Sequence, residues 1–212
     1  MRIALCGVLL VWMVFGAASA QAGTVFTDLP GFQAQLKPGY YLENFDGIAL
    51  GVITSPKSFS SGGYSYAASA TMGLYGEYAP GSGTDKVLST NDAHDPLVFT
   101  FTSGNVTAVG GYFFPTGASG ELLSGSTTLS LSDGTVYTLV NGTPSTFVGF
   151  TTASGVWITS LTVDALETPD FRWPTVNDLY VGQSDAVPEP ATGALLVGGA
   201  LLLAALSRRR KA

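Results

Sequence analysis

Residues 126–140 read STTLSLSDGTVYTLV, two runs of alternating apolar and polar residues on either side of Asp133-Gly134. Alternation with a period of two places the apolar side chains on one face of a β-strand. An Asp-Gly pair between two such runs is typical of a tight hairpin, because both central positions of its turn tolerate positive φ. The stretch therefore predicts antiparallel strands at residues 127–131 and 136–140, within an all-β fold.

The same pattern recurs through residues 23–182, which we predict to form one β-sandwich domain. Short runs rich in Val, Thr, Tyr and Phe are separated by clusters of Gly, Asn, Asp and Ser, and helix-period stretches are almost absent. Further strands are predicted at residues 40–45, 57–66, 96–102, 106–114, 146–151, 156–163 and 176–181. Nine short strands predict two packed antiparallel sheets.

Two other parts of this domain depart from the strand pattern. Residues 60–91 hold several glycine clusters, which predict long loops. A short helix is predicted near the start of the domain, where Thr27 or Asp28 can cap it. Pro30 fits the first turn of such a helix, because its missing N–H is not needed there.

The first residues of the chain have the pattern of a secretory signal. Arg2 supplies a positive charge, residues 3–15 are apolar, and Ala18-Ser19-Ala20 is a small-residue cleavage site. We therefore predict a signal peptide at residues 1–22. Cys6, the single cysteine, lies inside it. The mature chain would then have no thiol for a disulfide, a nucleophile or a zinc site.

The end of the chain carries a proline motif, an apolar run and a basic cluster in that order. Residues 183–190 form a linker that ends in the motif, residues 191–206 are uncharged, and residues 207–212 are basic. As a helix of about 1.5 Å per residue, the apolar run spans roughly 24 Å, somewhat short of a bilayer core of about 30 Å. We predict a transmembrane helix whose basic end stays in the cytoplasm. The motif is Val187, Pro188, Glu189 and Pro190, and the basic cluster is Arg208, Arg209, Arg210 and Lys211.

These three ordered elements, together with the signal peptide, resemble the sorting signal of the PEP-CTERM proteins. The resemblance implies export from a Gram-negative bacterium through the Sec translocon and processing near the motif by an exosortase, a membrane-embedded cysteine protease. It also implies that the apolar helix is a temporary anchor and that the processed protein reaches the cell surface or the extracellular matrix. Bacteria with such proteins usually make exopolysaccharide, which is therefore an expected partner.

The net charge of the folded domain limits the classes of molecule that it can bind. Residues 21–186 contain four basic and fourteen acidic residues, a net charge of −10, whereas the whole chain has a formal charge of −6. Such a surface repels the phosphates of nucleic acids and anionic lipid heads. Nucleic-acid binding is therefore excluded, whereas neutral glycans, cations and proteins remain as partner classes.

The domain also resembles the jelly-roll modules common in PEP-CTERM proteins. The resemblance rests on an acidic strand at residues 44–46, a Val-Gly-Gly-Tyr-Phe strand at 109–113 and a closing strand at 177–182. Modules of this type are similar to carbohydrate-binding modules and often hold a structural calcium ion where the first and last strands meet. The implied calcium ligands are Glu43, Asp46, Asn177 and Asp178. The alternative is that these are solvated charges at a sheet edge.

Three aromatic residues are candidates for ligand binding: Tyr75, Tyr78 and Trp173. Flat rings exposed beside acids and amides suit stacking against sugars. The alternative is that most of the aromatic residues pack in the core. The sequence alone leaves both interpretations open.

The single histidine limits the enzymatic hypotheses. Any Ser-His-Asp or histidine-metal mechanism would need His94, which Asp92 or Asp95 could orient. The sequence has no Gly-x-Ser-x-Gly elbow, and nothing in it selects a carboxylate pair for glycoside hydrolysis. We therefore expect a non-enzymatic surface protein. The alternatives are a calcium-dependent carbohydrate-binding module and a carboxylate-based glycoside hydrolase.

Overall fold

The computed structural model describes residues 23–153, 155–165 and 171–185. These residues contain fourteen β-strands and one short α-helix, α1, at Leu29–Gln33. The strands are β1 (Thr24–Phe26), β2 (Tyr41–Glu43), β3 (Gly51–Ile53), β4 (Lys57–Ser61), β5 (Tyr64–Ser69), β6 (Leu74–Tyr78), β7 (Lys86–Thr90), β8 (Leu97–Phe101), β9 (Ala108–Thr116), β10 (Ser126–Leu131), β11 (Val136–Val140), β12 (Phe147–Thr151), β13 (Ser160–Ala165) and β14 (Trp173–Gly182). The predicted all-β class is confirmed.

The strands form two antiparallel sheets that pack face to face. The larger sheet has eight strands in the order β1-β12-β9-β14-β7-β6-β3, with β2 paired to the end of β14. The smaller sheet has six, in the order β11-β10-β13-β8-β5-β4. The predicted hairpin is confirmed as β10 and β11, with Gly134 of its turn at a φ of +91°. The two-sheet sandwich is thus confirmed, whereas its jelly-roll topology stays a prediction.

Apolar side chains from both sheets fill the space between them. Leu129 and Leu139 of the hairpin belong to the same buried cluster as Phe150 of β12 and Phe99 of β8. Their neighbours in the sequence point to the other face, as the period of two requires. Burial of each large apolar side chain stabilises the fold by about 1.5–3 kcal/mol, so this cluster is the main source of stability.

The prediction for residues 57–91 was wrong in two respects. Residues 57–66 were expected to form one strand, but they form β4 and the start of β5, joined by a turn at Gly62 and Gly63. Both glycines have positive φ, which reverses the chain. Residues 60–91 were expected to form long loops, but they contain β5, β6 and β7. A Cβ on Gly76 would lie 2.1 Å from the carbonyl oxygen of Ala49, so this strand glycine permits a close backbone approach.

The strand predicted at residues 156–163 and the predicted N-terminal helix can also be compared with the structure. The strand expected at residues 156–163 begins only at Ser160, because the N–H of Ile158 donates to the carbonyl of Val106 outside the ladder. The predicted helix is confirmed, and the Asp28 carboxylate caps it by accepting from the N–H of Gly31. Phe32 of this helix is fully buried on the outer face of the eight-stranded sheet, against Phe147 and Tyr180.

The predicted terminal segments lie outside the described residues. These are the signal peptide at residues 1–22, the proline motif at 187–190, the apolar run at 191–206 and the basic tail at 207–212. In the part of the chain that the structure does describe, no helix combines the length and the apolar composition needed to cross a membrane.

Candidate ligand-binding groove

The three candidate aromatic residues lie in the eight-stranded sheet, and two of them, Tyr75 and Trp173, line the same depression on its outer face. In β6, Tyr75 and Glu77 alternate with Leu74 and Gly76, which point to the core. Tyr75 and Glu77 therefore project from the same outer face. Tyr78 ends this strand, and Trp173 begins β14 on the same sheet.

Two adjoining depressions run across this face, and together we call them the aromatic groove. The first has a volume of about 350 Å³ and is lined by Tyr75, Glu77 and Tyr78, with the loop at residues 118–120 opposite them. The second, of about 210 Å³, is lined by Tyr75, Glu77 and Trp173. Tyr75 and Glu77 border both depressions, so a single extended ligand could contact all three aromatic residues.

Buried hydroxyl groups form the floor of the aromatic groove. Thr116 of β9 donates to the Glu77 carboxylate over 3.2 Å, and its hydroxyl oxygen lies 2.8 Å from that of Thr175. The hydroxyl of Thr175 in turn lies 3.0 Å from that of Ser89. This chain of contacts joins four adjacent strands and holds the Glu77 carboxylate in place.

The Glu77 carboxyl group is half-buried at the centre of the aromatic groove. Burial raises the pKa of Glu77, the hydrogen bond from Thr116 opposes that rise, and the charge of Glu121 adds to it. The protonated form therefore persists to higher pH than in an exposed glutamate. In that form Glu77 can donate as well as accept a hydrogen bond.

Sequence reasoning found the three aromatic residues but missed Glu77 and Thr116. The signal for Glu77 was present, because a strand through Leu-Tyr-Gly-Glu-Tyr places Glu77 on the same face as Tyr75. It was lost when residues 60–91 were predicted as loops. Thr116 contacts Glu77 only through the pairing of distant strands, so nothing local in the sequence could indicate it.

Three of the four predicted calcium ligands, Asp46, Asn177 and Asp178, lie beside β14, and sequence reasoning missed a third carboxylate there, that of Asp85. The Asn177 amide donates to Asp85 over 2.9 Å, and the N–H of Lys86 donates to the Asp46 carboxylate over 3.1 Å. Asp178 lies in a bulge of β14 with a φ of +49°. Burial and the charges of Asp85 and Asp46 raise the pKa of Asp178.

The fourth predicted calcium ligand, Glu43, makes its contacts elsewhere. Its carboxylate accepts from the Tyr41 hydroxyl and from the N–H of Phe45. Tyr41 belongs to the core between the sheets, so Glu43 does not join the carboxylates of the outer face. Among the described residues, no three or more acidic, histidine or cysteine side chains are close enough to hold a metal ion. Calcium binding stays a prediction.

The single histidine lies in an exposed turn. His94 Nδ1 is 2.9 Å from an Asp92 carboxylate oxygen, and its ring packs edge-on against Phe171. Asp95 accepts from the N–H of Met72 and fixes the neighbouring loop. Hydrogen bonds from His94 lower the pKa of Asp92. These contacts stabilise the turn.

Comparison with family models gives one match, at the end of the chain. Residues 186–211 match the PEP-CTERM protein-sorting motif, which covers the predicted proline motif, apolar run and basic cluster. The chain carries a PEP-CTERM sorting motif. This motif indicates export by a bacterium and sorting to the cell surface by exosortase. Comparisons with curated proteins and with solved structures gave no match.

The folded domain holds the chain firmly up to the start of the sorting motif. The N–H of Asp185 donates to the carbonyl of Gln35 over 3.1 Å, and the N–H of Lys37 donates to that of Gln183 over 2.8 Å. The N–H of Ser184 donates to the Thr107 hydroxyl over 2.8 Å. The sorting motif begins at residue 186, immediately after these bonds.

Proposed function

We propose that this surface-sorted protein is a non-enzymatic component of the extracellular matrix that binds exopolysaccharide in the aromatic groove. Residues 1–22 direct export through the Sec translocon of a Gram-negative bacterium, and residues 191–206 anchor the protein in the inner membrane until exosortase acts. The single observation that carries the binding proposal is the meeting of Tyr75, Tyr78 and Trp173 around one half-buried carboxyl group.

The aromatic residues of the groove offer flat surfaces to a ligand. Tyr75 is 37% exposed and Tyr78 is 41% exposed, although rings of this size are usually more deeply buried in a folded domain. An exposed ring next to hydrogen-bonding groups suits the apolar face of a sugar, whose hydroxyls then reach the polar partners. The jelly-roll resemblance, shared with carbohydrate-binding modules, agrees with this reading.

The charge of the groove favours a neutral sugar chain. None of the residues that line either depression is basic, and Glu77 is acidic. The net charge of −10 over residues 21–186 adds a repulsive field for anionic polymers. Hydrogen bonds from Glu77 and the floor hydroxyls would instead recognise the hydroxyl groups of the sugar.

Substitution of the groove aromatics tests this proposal. Tyr75→Ala and Trp173→Ala should each weaken binding to exopolysaccharide from the producing bacterium by about fivefold, since one ring contact is worth roughly 1 kcal/mol. Trp157→Ala is the matched control, because Trp157 is 48% exposed but lies away from the groove. Thermal unfolding of each variant separates lost binding from lost folding. Equal binding by all three folded variants would contradict the proposal.

The glycoside hydrolase alternative is tested at Glu77. In such an enzyme a carboxyl group with a raised pKa donates a proton to the leaving sugar. We expect no release of reducing sugar from the bound polysaccharide, either by the protein or by Glu77→Gln. Release by the unmodified protein that is lost in Glu77→Gln would replace the non-enzymatic proposal with a hydrolytic one.

A second candidate function is calcium binding on the outer face beside β14. One observation favours it: the amide oxygen of Asn177 is buried and has no hydrogen-bond partner among the described residues. The amide nitrogen of Asn177 donates to Asp85, and the charges of Asp85 and Asp46 raise the pKa of the adjacent Asp178. With few carboxylates close together, backbone carbonyls and water would complete the shell, so binding in the range of about 10⁻⁴ to 10⁻³ M is expected.

Calcium binding has a direct test. Millimolar calcium should raise the melting temperature of the protein, and Asp178→Asn should abolish that rise. Asp164→Asn is the control, since Asp164 is an exposed carboxylate on the other sheet. A melting temperature that does not respond to calcium would exclude this candidate and leave the sugar-binding proposal intact.

A further inference from the structure

The described sheets have five edge strands, and β11 differs from the other four. β1, β2 and β3 lie at edges of the larger sheet and have only three residues each. β4 ends the smaller sheet, begins with Lys57 and consists otherwise of Ser and Phe. β11 has five residues, Val-Tyr-Thr-Leu-Val, none of them charged. Short strands and charged residues protect sheet edges from pairing with other chains, and β11 has neither protection.

The backbone groups on the free side of β11 can be identified from its neighbours. The N–H of Leu131 donates to the carbonyl of Thr135, and the N–H of Asn141 donates to the carbonyl of Gly125. Hydrogen-bonded pairs alternate along an antiparallel ladder, so Tyr137 and Leu139 also direct their backbone groups towards β10. The N–H and C=O groups of Val136, Thr138 and Val140 therefore point away from the sheet. No described strand pairs with this outer side of β11.

We propose that β11 pairs in antiparallel orientation with β11 of a second copy of this chain. A two-fold axis at Thr138 places Val136 of one copy opposite Val140 of the other, and Thr138 opposite Thr138. These three positions are the ones whose backbone groups are free, so six hydrogen bonds form without any shift in register. The two six-stranded sheets then become one sheet of twelve.

The side chains of β11 fit this register on both faces. Val136 and Val140 are each 64% exposed, and pairing covers each valine with its counterpart on the other copy. On the inner face, half-buried Tyr137 comes to lie opposite Leu139 of the second copy. Cross-strand pairs of β-branched and aromatic side chains each stabilise a sheet by about 0.2–1 kcal/mol.

The distribution of charged residues favours β11 as the contact between two copies of the chain. Each copy carries a net charge of −10 over residues 21–186, which opposes association through most of the surface. Residues 134–163 contain no charged side chain. Pairing of two β11 strands therefore places no like charges opposite each other, and this inference does not depend on sugar binding.

An engineered cysteine tests the pairing on the bacterial surface. In a Cys6→Ala background the full chain has no other cysteine. Thr138→Cys places two thiols opposite each other with a Cα separation of about 5.5 Å, within the range that a disulfide spans. We expect most of the exported protein to migrate as a dimer in a non-reducing gel and as a monomer after reduction.

Two further variants make the test decisive. Ser58→Cys is the matched control, because Ser58 is an exposed residue of β4, the strand at the other end of the same sheet. It should give little dimer. Adding Val136→Lys and Val140→Lys to Thr138→Cys should abolish the dimer while leaving the melting temperature nearly unchanged, since both valines are exposed. The proposal would be overturned if Thr138→Cys gave no more dimer than Ser58→Cys. It would also be overturned if the two lysine substitutions left the amount of dimer unchanged.

Discussion

The two sheets share one core but differ on their outer faces. The six-stranded sheet presents small polar residues, such as Ser126, Thr128 and Ser130 of β10. The eight-stranded sheet instead carries α1, the aromatic groove, the carboxylates beside β14 and a row of buried hydroxyls. The candidate binding features therefore lie on the outer face of the eight-stranded sheet, whereas the outer face of the six-stranded sheet consists mainly of small polar side chains.

This difference has a physical origin. The outer face of the eight-stranded sheet is covered in places by α1 and by loops, which remove polar groups from water. Such groups must then find partners inside the protein, as Thr116, Thr175 and Ser89 do. The hydroxyl groups on the outer face of the smaller sheet are only partly buried, so they can form hydrogen bonds with water. Substitutions on the two faces should therefore have unequal effects.

The largest loss of stability is expected when the side chain of Phe32 is shortened. Its side chain is fully buried outside the eight-stranded sheet, with its ring 5.3 Å from that of Phe147. Phe32→Ala should lower the free energy of unfolding by about 3–5 kcal/mol, because loss of the buried ring leaves a cavity between α1 and the sheet. Thr162→Ala, on the outer face of the smaller sheet, should change it by about 0.5 kcal/mol or less. Urea unfolding measures both, and similar losses would show that the two faces do not differ in this way.

A smaller effect is expected in the row of hydroxyls. Thr175→Val keeps the volume of a fully buried side chain but removes the contacts of the Thr175 hydroxyl with those of Thr116 and Ser89. A hydrogen bond contributes a net of about 0.5–1.5 kcal/mol, so the loss of two should lower stability by about 1–3 kcal/mol. Thr128→Val makes the same chemical change on the other sheet and should be nearly neutral. Equal urea midpoints for the two variants would contradict the comparison.

Local sequence was sufficient for the β10–β11 hairpin of the smaller sheet and for the helix. The hairpin could be predicted because alternation and the Asp133-Gly134 turn lie within fifteen consecutive residues. The helix was found for a similar reason, since its cap and Pro30 are adjacent. In both cases the signal and the element occupy the same short stretch, and no distant residue is needed to interpret it.

The larger sheet was harder to predict because its chemistry comes from distant residues. Thr116 and Glu77 are thirty-nine positions apart, and Asn177 and Asp85 are ninety-two apart. Gly76 weakened the strand pattern locally, although the approach of Ala49 requires a glycine there. Asp178 was found through a resemblance and Asp85 was not, since only the pairing of β14 and β7 brings Asp85 beside it.

The smallest effect is a dependence of stability on pH that arises at Glu77. Its pKa is raised above the ordinary 4.5 in the folded protein, chiefly by burial. Between the unfolded and folded values the folded state binds more protons, so stability falls as pH rises through that window. Glu77→Gln removes this proton, and the variant should lose a slope of at most about 1.4 kcal/mol per pH unit. Urea unfolding at a series of pH values from about 4.5 upwards measures it.

The neighbours of Glu77 provide the controls for this slope. Glu121→Gln removes one of the charges that raise the pKa of Glu77, so it should reduce the slope only in part. Asp164→Asn, on the exposed face of the smaller sheet, should leave it unchanged. Asp178, whose pKa is also raised, is present in every variant and contributes the same background. An identical slope in Glu77→Gln and in the unmodified protein would show that Glu77 is as open to water as an ordinary surface glutamate, and the contrast between the two outer faces would not extend to their carboxylates.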